Sequence, residues 1–120
     1  MQQHYEQALG RYAQQLTHLA VQIARKILWS KVEQGDYEIE KIVTQLLQAA
    51  DSNGQNVTVR LNPADIAGCE KMLEPMDNCR FIADENVAKA ECVVETEDAL
   101  VESRIEQGLA RIEKSLQKAN

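Results

Sequence analysis

A chain of 120 residues with 44% hydrophobic residues is long enough for about one domain with a buried core. One Phe, one Trp and three Tyr cannot fill that core, so Leu, Ile, Val and Ala must do so. Nineteen Asp/Glu against thirteen Lys/Arg leave a net charge of -6, divided as +2 over residues 1–34 and -8 over residues 35–120, which argues against nucleic acid and anionic membrane as partners.

In the first segment Tyr5, Leu9, Tyr12, Leu16, Leu19 and Ile23 step by four, three, four, three and four, the a/d spacing of a heptad seam. This predicts a long helix with a partner, and Leu9, Tyr12, Leu16, Leu19 and Ile23 are the candidate dimerisation residues. The Gln-rich first half surrounds a narrow apolar stripe and reads as a stalk. Beyond Leu19 the stripe widens to take in Ala20, Ala24, Ile27, Leu28 and Trp29, as expected when a helix enters a globular core. A helix from Gln3 to Val32 would run about 45 Å, longer than so small a domain is wide, so its first end should protrude or pair. Packing wholly within its own subunit is the alternative.

Gly35 suits a left-handed helix end and Asp36 can cap the next helix. Ile39, Ile42, Val43, Leu46, Leu47 and Ala50 mark one face of this second helix, which folds back as a hairpin partner and is closed by the turn chemistry of Asp51-Ser52-Asn53-Gly54. Val57, Val59 and Leu61 alternate with Thr58 and Arg60 as in a strand with one buried face. Asn62 can then cap a helix, Pro63 suits its first position, and Asp65 faces its positive end. That helix is predicted to run to about Glu74, with Ile66, Cys69 and Leu73 inward and a stop near Pro75. Arg80–Ala83 and Cys92–Glu95 read as two more strands. The last helix is predicted from about Asp98 to Lys118, with Val101, Ile105, Leu109, Ile112 and Leu116 as its stripe and charges that complement the helix dipole at both ends. The expected fold is α+β, in the order α-α-β-α-β-β-α, with a helix hairpin packed on a small three-stranded sheet. The expected organisation is a long helix over 1–34 entering a globular domain over 35–120.

Catalytic signatures are not legible. His4 and His18 stand about 21 Å apart along one helix and cannot share a metal within a chain. Cys69, Cys79 and Cys92 lack any Cys-x-x-Cys spacing and read as reduced core residues. The acidic pairs Asp84/Glu85 and Glu97/Asp98 read as solvated loop and helix-start residues rather than a carboxylate site. There is no phosphate-binding glycine loop and no glycine-framed serine. The sequence therefore predicts no catalytic, cofactor-binding or metal-binding residues. With no apolar run near the ~18 residues of a membrane span and a polar start unlike a signal peptide, a cytoplasmic location without membrane insertion is expected.

The order of elements, the phrase Val-Arg-Leu-Asn-Pro-Ala-Asp at Val59–Asp65 and the phrase Cys-Val-Val-Glu-Thr at Cys92–Thr96 resemble the C-terminal part of the FliH family. These are flagellar export ATPase regulators, related to the stator proteins of virulence type III secretion. The resemblance covers nearly the whole chain. That family often has glycines just before and just after the second phrase, where this chain reads Ala88-Lys89-Ala90-Glu91 and Glu97-Asp98-Ala99. The family's long N-terminal segment has no counterpart here, so Met1 reads as the start of a fragment. The resemblance implies a non-enzymatic homodimer at a membrane-bound secretion apparatus. It would hold the N-terminal region of a hexameric export ATPase, restrain it and bring it to the export gate. An E-type peripheral-stalk subunit of a V- or A-type rotary ATPase is the alternative, and a small hydrolase is the reading from another class. For the docking of an amphipathic ATPase helix, Val101, Ile105 and Leu109 are the candidate groove residues, with basic residues of the helix meeting an acidic rim.

Overall fold

A computed structural model describes residues 2–50, 54–69 and 78–119 of the chain. Two compact units emerge. One joins Met1–Glu33 to Ile105–Asn120, and the other is Gln34–Arg104.

The first unit is an antiparallel pair of helices, α1 (Gln2–Glu33) and the C-terminal α4 (Ile105–Ala119). On α1 Val21 and Val32 are buried, with Thr17 and Ala24 half-buried, and on α4 Leu109 is buried. Polar clasps run down one side of the pair. His18 Nδ1 lies 2.6 Å from Glu113 Oε1, Arg25 Nε donates to Glu106 Oε1 at 2.8 Å, and Trp29 Nε1 donates to Glu106 Oε2 at 2.9 Å. The Trp29 hydrogen bond, followed by Arg25, holds the Glu106 carboxyl below its ordinary range.

The second unit is a four-stranded sheet with one helix across a face. Gly35, at φ 71°, ends the chain's first helical run, as its lack of a Cβ allows. Helix α2 (Ile39–Ala50) then lays Ile39, Val43 and Leu46 on the sheet. The central strand β1 (Val57–Leu61) alternates as its sequence demands, with Val57, Val59 and Leu61 buried and Thr58 and Arg60 half-buried. It pairs in parallel with β2 (Cys79–Ala83), Val59 opposite Phe81, and antiparallel with β3 (Cys92–Glu95), Val59 opposite Val94. A fourth strand, β4 (Leu100–Ser103), pairs antiparallel with β3 and completes the order β2-β1-β3-β4. The core between α2 and the sheet holds Val43, Val59, Leu61, Cys69, Cys92 and Val94, all fully buried.

Two expectations change. Among the described residues the sheet has four strands rather than three, and Val101 belongs to β4, so the last helix begins at Ile105 and not near Asp98. The four-residue step from Val101 to Ile105 fits a helix as well as it fits a strand followed by a helix. The turn between β3 and β4 is closed by Thr96 N donating to Ala99 O at 2.8 Å and by Ala99 N donating to the Thr96 hydroxyl at 3.0 Å. After β1, helix α3 is a single turn (Pro63–Ile66) that tightens into a 3-10 turn over Ala67–Cys69. The predicted continuation through Leu73 and Glu74 to Pro75, and the turn residues Asp51–Asn53, lie outside the described residues.

Candidate interaction surfaces

The junction after β1 is built as its residues suggest, with one addition. Asn62 Oδ1 accepts from Ala64 N at 3.0 Å, and its Nδ2 donates to Val87 O at 2.9 Å, so one side chain caps α3 and ties down the loop before β3. Asp65 does more than face a helix end. It is only 5% exposed, and its carboxylate accepts from the Tyr37 hydroxyl at 2.6 Å and from Ala90 N at 2.9 Å. Burial first, then the bond to Asp65 and its charge, push the Tyr37 phenol up to about 12. Nothing in the sequence signals that Tyr37 and Ala90, far apart along the chain, share one carboxylate. The result is structural, since all three groups are engaged with one another.

The three thiols are free and turned into this unit. Burial pushes Cys69 up to about 11 and Cys92 to about 12 and raises Cys79 as well, so none offers a thiolate near neutrality. Among the described residues no group of three or more His, Cys, Asp or Glu is placed to hold a metal ion. Also among the described residues, no helix is long and apolar enough to cross a membrane.

What remains is surface. Along α1 the residues Tyr5, Leu9, Tyr12, Leu16, Leu19, Ile23 and Ile27 are each more than half exposed, from 52% at Leu9 to 68% at Tyr5. Taking ~100° per residue, this stripe lies roughly 150° round α1 from Val21, so α4 covers a different face. Apolar residues scattered singly need no explanation, but a row this long is a contiguous patch.

The groove candidates separate. Val101 sits on β4, half-buried against the core of the second unit. Ile105 is half-buried at the start of α4, and Leu109 is 3% exposed within the helical pair. Leu109 offers an anchor only where α1 and α4 part.

Charge follows the two units closely. The helical unit carries seven Lys/Arg against four Asp/Glu, net +3, and the α+β unit carries six against fifteen, net -9. Three cations of the α+β unit are already paired: Lys41 with Glu38 at 2.9 Å, Arg60 with Glu95 at 2.9 Å, and Arg104 with Glu102 at 2.9 Å. Asp36, Glu85, Glu97 and Asp98 are exposed.

A long helix with an uncovered apolar row, joined in sequence to an acidic α+β body, is the architecture of a protein that assembles with others. The family model described as the flagellar assembly protein FliH matches residues 1–112, and the chain belongs to the FliH family of flagellar assembly proteins. A comparison with curated proteins gives no match.

Proposed function

We propose that the chain is a non-catalytic stator and regulator, which binds the N-terminal region of a flagellar or type III secretion export ATPase, restrains it and recruits it to the secretion apparatus. The observation that carries this reading is the division of labour between the units. One has an uncovered apolar row and little net charge, and the other has a large acidic excess and, among the described residues, no comparable row. The first suits self-association, through Leu9, Tyr12, Leu16, Leu19 and Ile23, and a dimer is the commonest closed form. The second suits a basic amphipathic helix of the ATPase, steered by charge and seated by apolar anchors near Val101. The protein works from the cytoplasmic side and touches the membrane only through the apparatus.

Calorimetric titration of the ATPase N-terminal peptide into the whole chain at two salt concentrations tests the partner. Binding should weaken as salt rises, because exposed charges are screened beyond about 8 Å at physiological ionic strength. Absence of heat at either salt removes the partner assignment, and salt-independent binding removes the acidic rim.

A further inference from the structure

Strand β4 closes one side of the sheet and leaves its own outer backbone open. In the hairpin before it Thr96 N donates to Ala99 O at 2.8 Å, which makes Thr96 and Ala99 a hydrogen-bonded pair. Such pairs alternate along an antiparallel ladder. With Glu95 opposite Leu100, Val94 opposite Val101, Val93 opposite Glu102 and Cys92 opposite Ser103, the backbone of Val101 and Ser103 faces β3. The N–H and C=O of Leu100 and of Glu102 therefore point away from the sheet. Among the described residues no hydrogen bond reaches these backbone groups.

This edge is held in place, because α2 packs over β3 and β4 and Val101 lies against the core. A backbone already fixed loses little freedom when another strand pairs with it. Proteins commonly blunt such an edge with proline, with charge or with a covering segment. β4 has no proline, and its Leu100, on the face away from α2, is 59% exposed. The charge of Glu102 is already taken by Arg104 Nε at 2.9 Å.

The surroundings select the sign of a partner. Residues 90–103 hold five carboxylates and no Lys or Arg. Arg60 reaches Glu95 at 2.9 Å, but Glu97 and Asp98, at the hairpin tip, are exposed and have no cation beside them among the described residues. Asp98 takes a neutral hydrogen bond from Gln55 Nε2 at 2.6 Å.

We propose that the free edge of β4 receives an extended basic segment of another protein as an antiparallel fifth strand. Backbone bonds to Leu100 and Glu102 supply the attachment, and side chains of alternate residues supply the choice of partner. Running antiparallel to β4, the segment passes Glu102, then Leu100, then the tip. It carries an apolar residue opposite Leu100 and, two positions later on the same face, a Lys or Arg beside Asp98. This site is separate from helix docking near Val101, whose side chain lies on the α2 face of the strand.

The probe is the peptide acetyl-Ser-Thr-Thr-Val-Thr-Lys-Ser-Lys-amide, added to the whole chain and followed by amide hydrogen exchange in NMR spectra. Exchange at Leu100 and Glu102 should slow at least tenfold, while Val101 and Ser103, already paired with β3, stay as they are. A peptide N-methylated at Val and at the Thr two residues before it should bind at least tenfold more weakly, as should one with both Lys replaced by Glu. Leu100→Pro removes an outward N–H without touching the ladder to β3 and should weaken the unmodified peptide to the same degree. Unchanged exchange at Leu100 and Glu102 under millimolar peptide overturns the proposal. Equal binding of the N-methylated peptide reduces the contact to charge and overturns strand addition, a result that does not depend on how Leu100→Pro folds. If both amides are slow in the free protein and quicken on dilution, a second copy holds the edge and the proposal falls.

Discussion

Tyr37, Asp65 and Ala90 come from three separate stretches and meet at one carboxylate, which makes this contact sensitive to pH and to single substitutions. The folded protein favours the neutral phenol, raising Tyr37 from its ordinary value near 10 to about 12. Its contribution is therefore fully present below pH ~10 and is lost as pH rises toward 12. Cys69 and Cys92, also raised by burial, lose stability in the same direction over an overlapping range. Tyr37→Phe should cost about 1 kcal/mol at pH 8 and flatten, without abolishing, the decline in urea-measured stability between pH 9 and 11. An unchanged slope would assign the decline wholly to the thiols and other groups. Ala90 meets Asp65 through its N–H while its backbone sits at φ 68°, a conformation that suits glycine. Ala90→Gly should raise stability by about 0.5–1 kcal/mol, read as a shift in the denaturation midpoint. A loss would mean that the buried alanine methyl outweighs the backbone strain.

At the scale of elements, β1 organises the second unit, since both flanking strands pair with it and α2 packs over its buried face. Val59→Asp would place a charge with no partner where the side chain is fully buried, at a cost of several kcal/mol, and should leave the chain unfolded in chemical denaturation. Pro63→Ala, at an exposed first helical position, should change stability by no more than about 0.5 kcal/mol. A Val59→Asp protein of normal stability would contradict the buried face. This strand and its cap were legible because alternation, Asn62 and Pro63 are local signals that agree. So were α2 and β3, and the long α1, whose exposed row the heptad spacing marked in advance. β4 was not legible. Four residues are too few for alternation to assert itself, and Glu97, Asp98 and Glu102 imitate an acidic helix start. Its pairing with β3 is decided by the Thr96–Ala99 turn, which depends on hydroxyl and backbone geometry rather than on hydrophobic pattern. The link from Asp65 to Ala90 was hidden for a related reason: it is a tertiary hydrogen bond to a backbone N–H, which any residue but proline supplies.

Across the whole molecule, one unit is continuous in sequence and the other is not: α1 and α4 pack together although all of the α+β unit is written between them. On the ribosome this order becomes a delay. At ~5–20 residues per second, the stretch separating Glu33 from Ile105 takes roughly 4 to 14 s to make. Throughout that interval α1 displays two apolar faces, the row and the face that α4 later covers. The α+β unit, whose pairings lie wholly within 34–104, has what it needs before α4 exists. The nascent chain therefore presents the helix of the proposed self-association first and completes its own helix pair last, an order that favours a meeting of neighbouring chains on one message over self-closure of each. A permuted gene that begins at Ile105 and runs through a short flexible linker into Gln2 reverses that order. When differently tagged wild-type and permuted chains are co-expressed from separate messages, the permuted form should mix freely between tags while the wild type stays mostly within its own. Equal mixing of the two forms would show that the helices find their partners only after release.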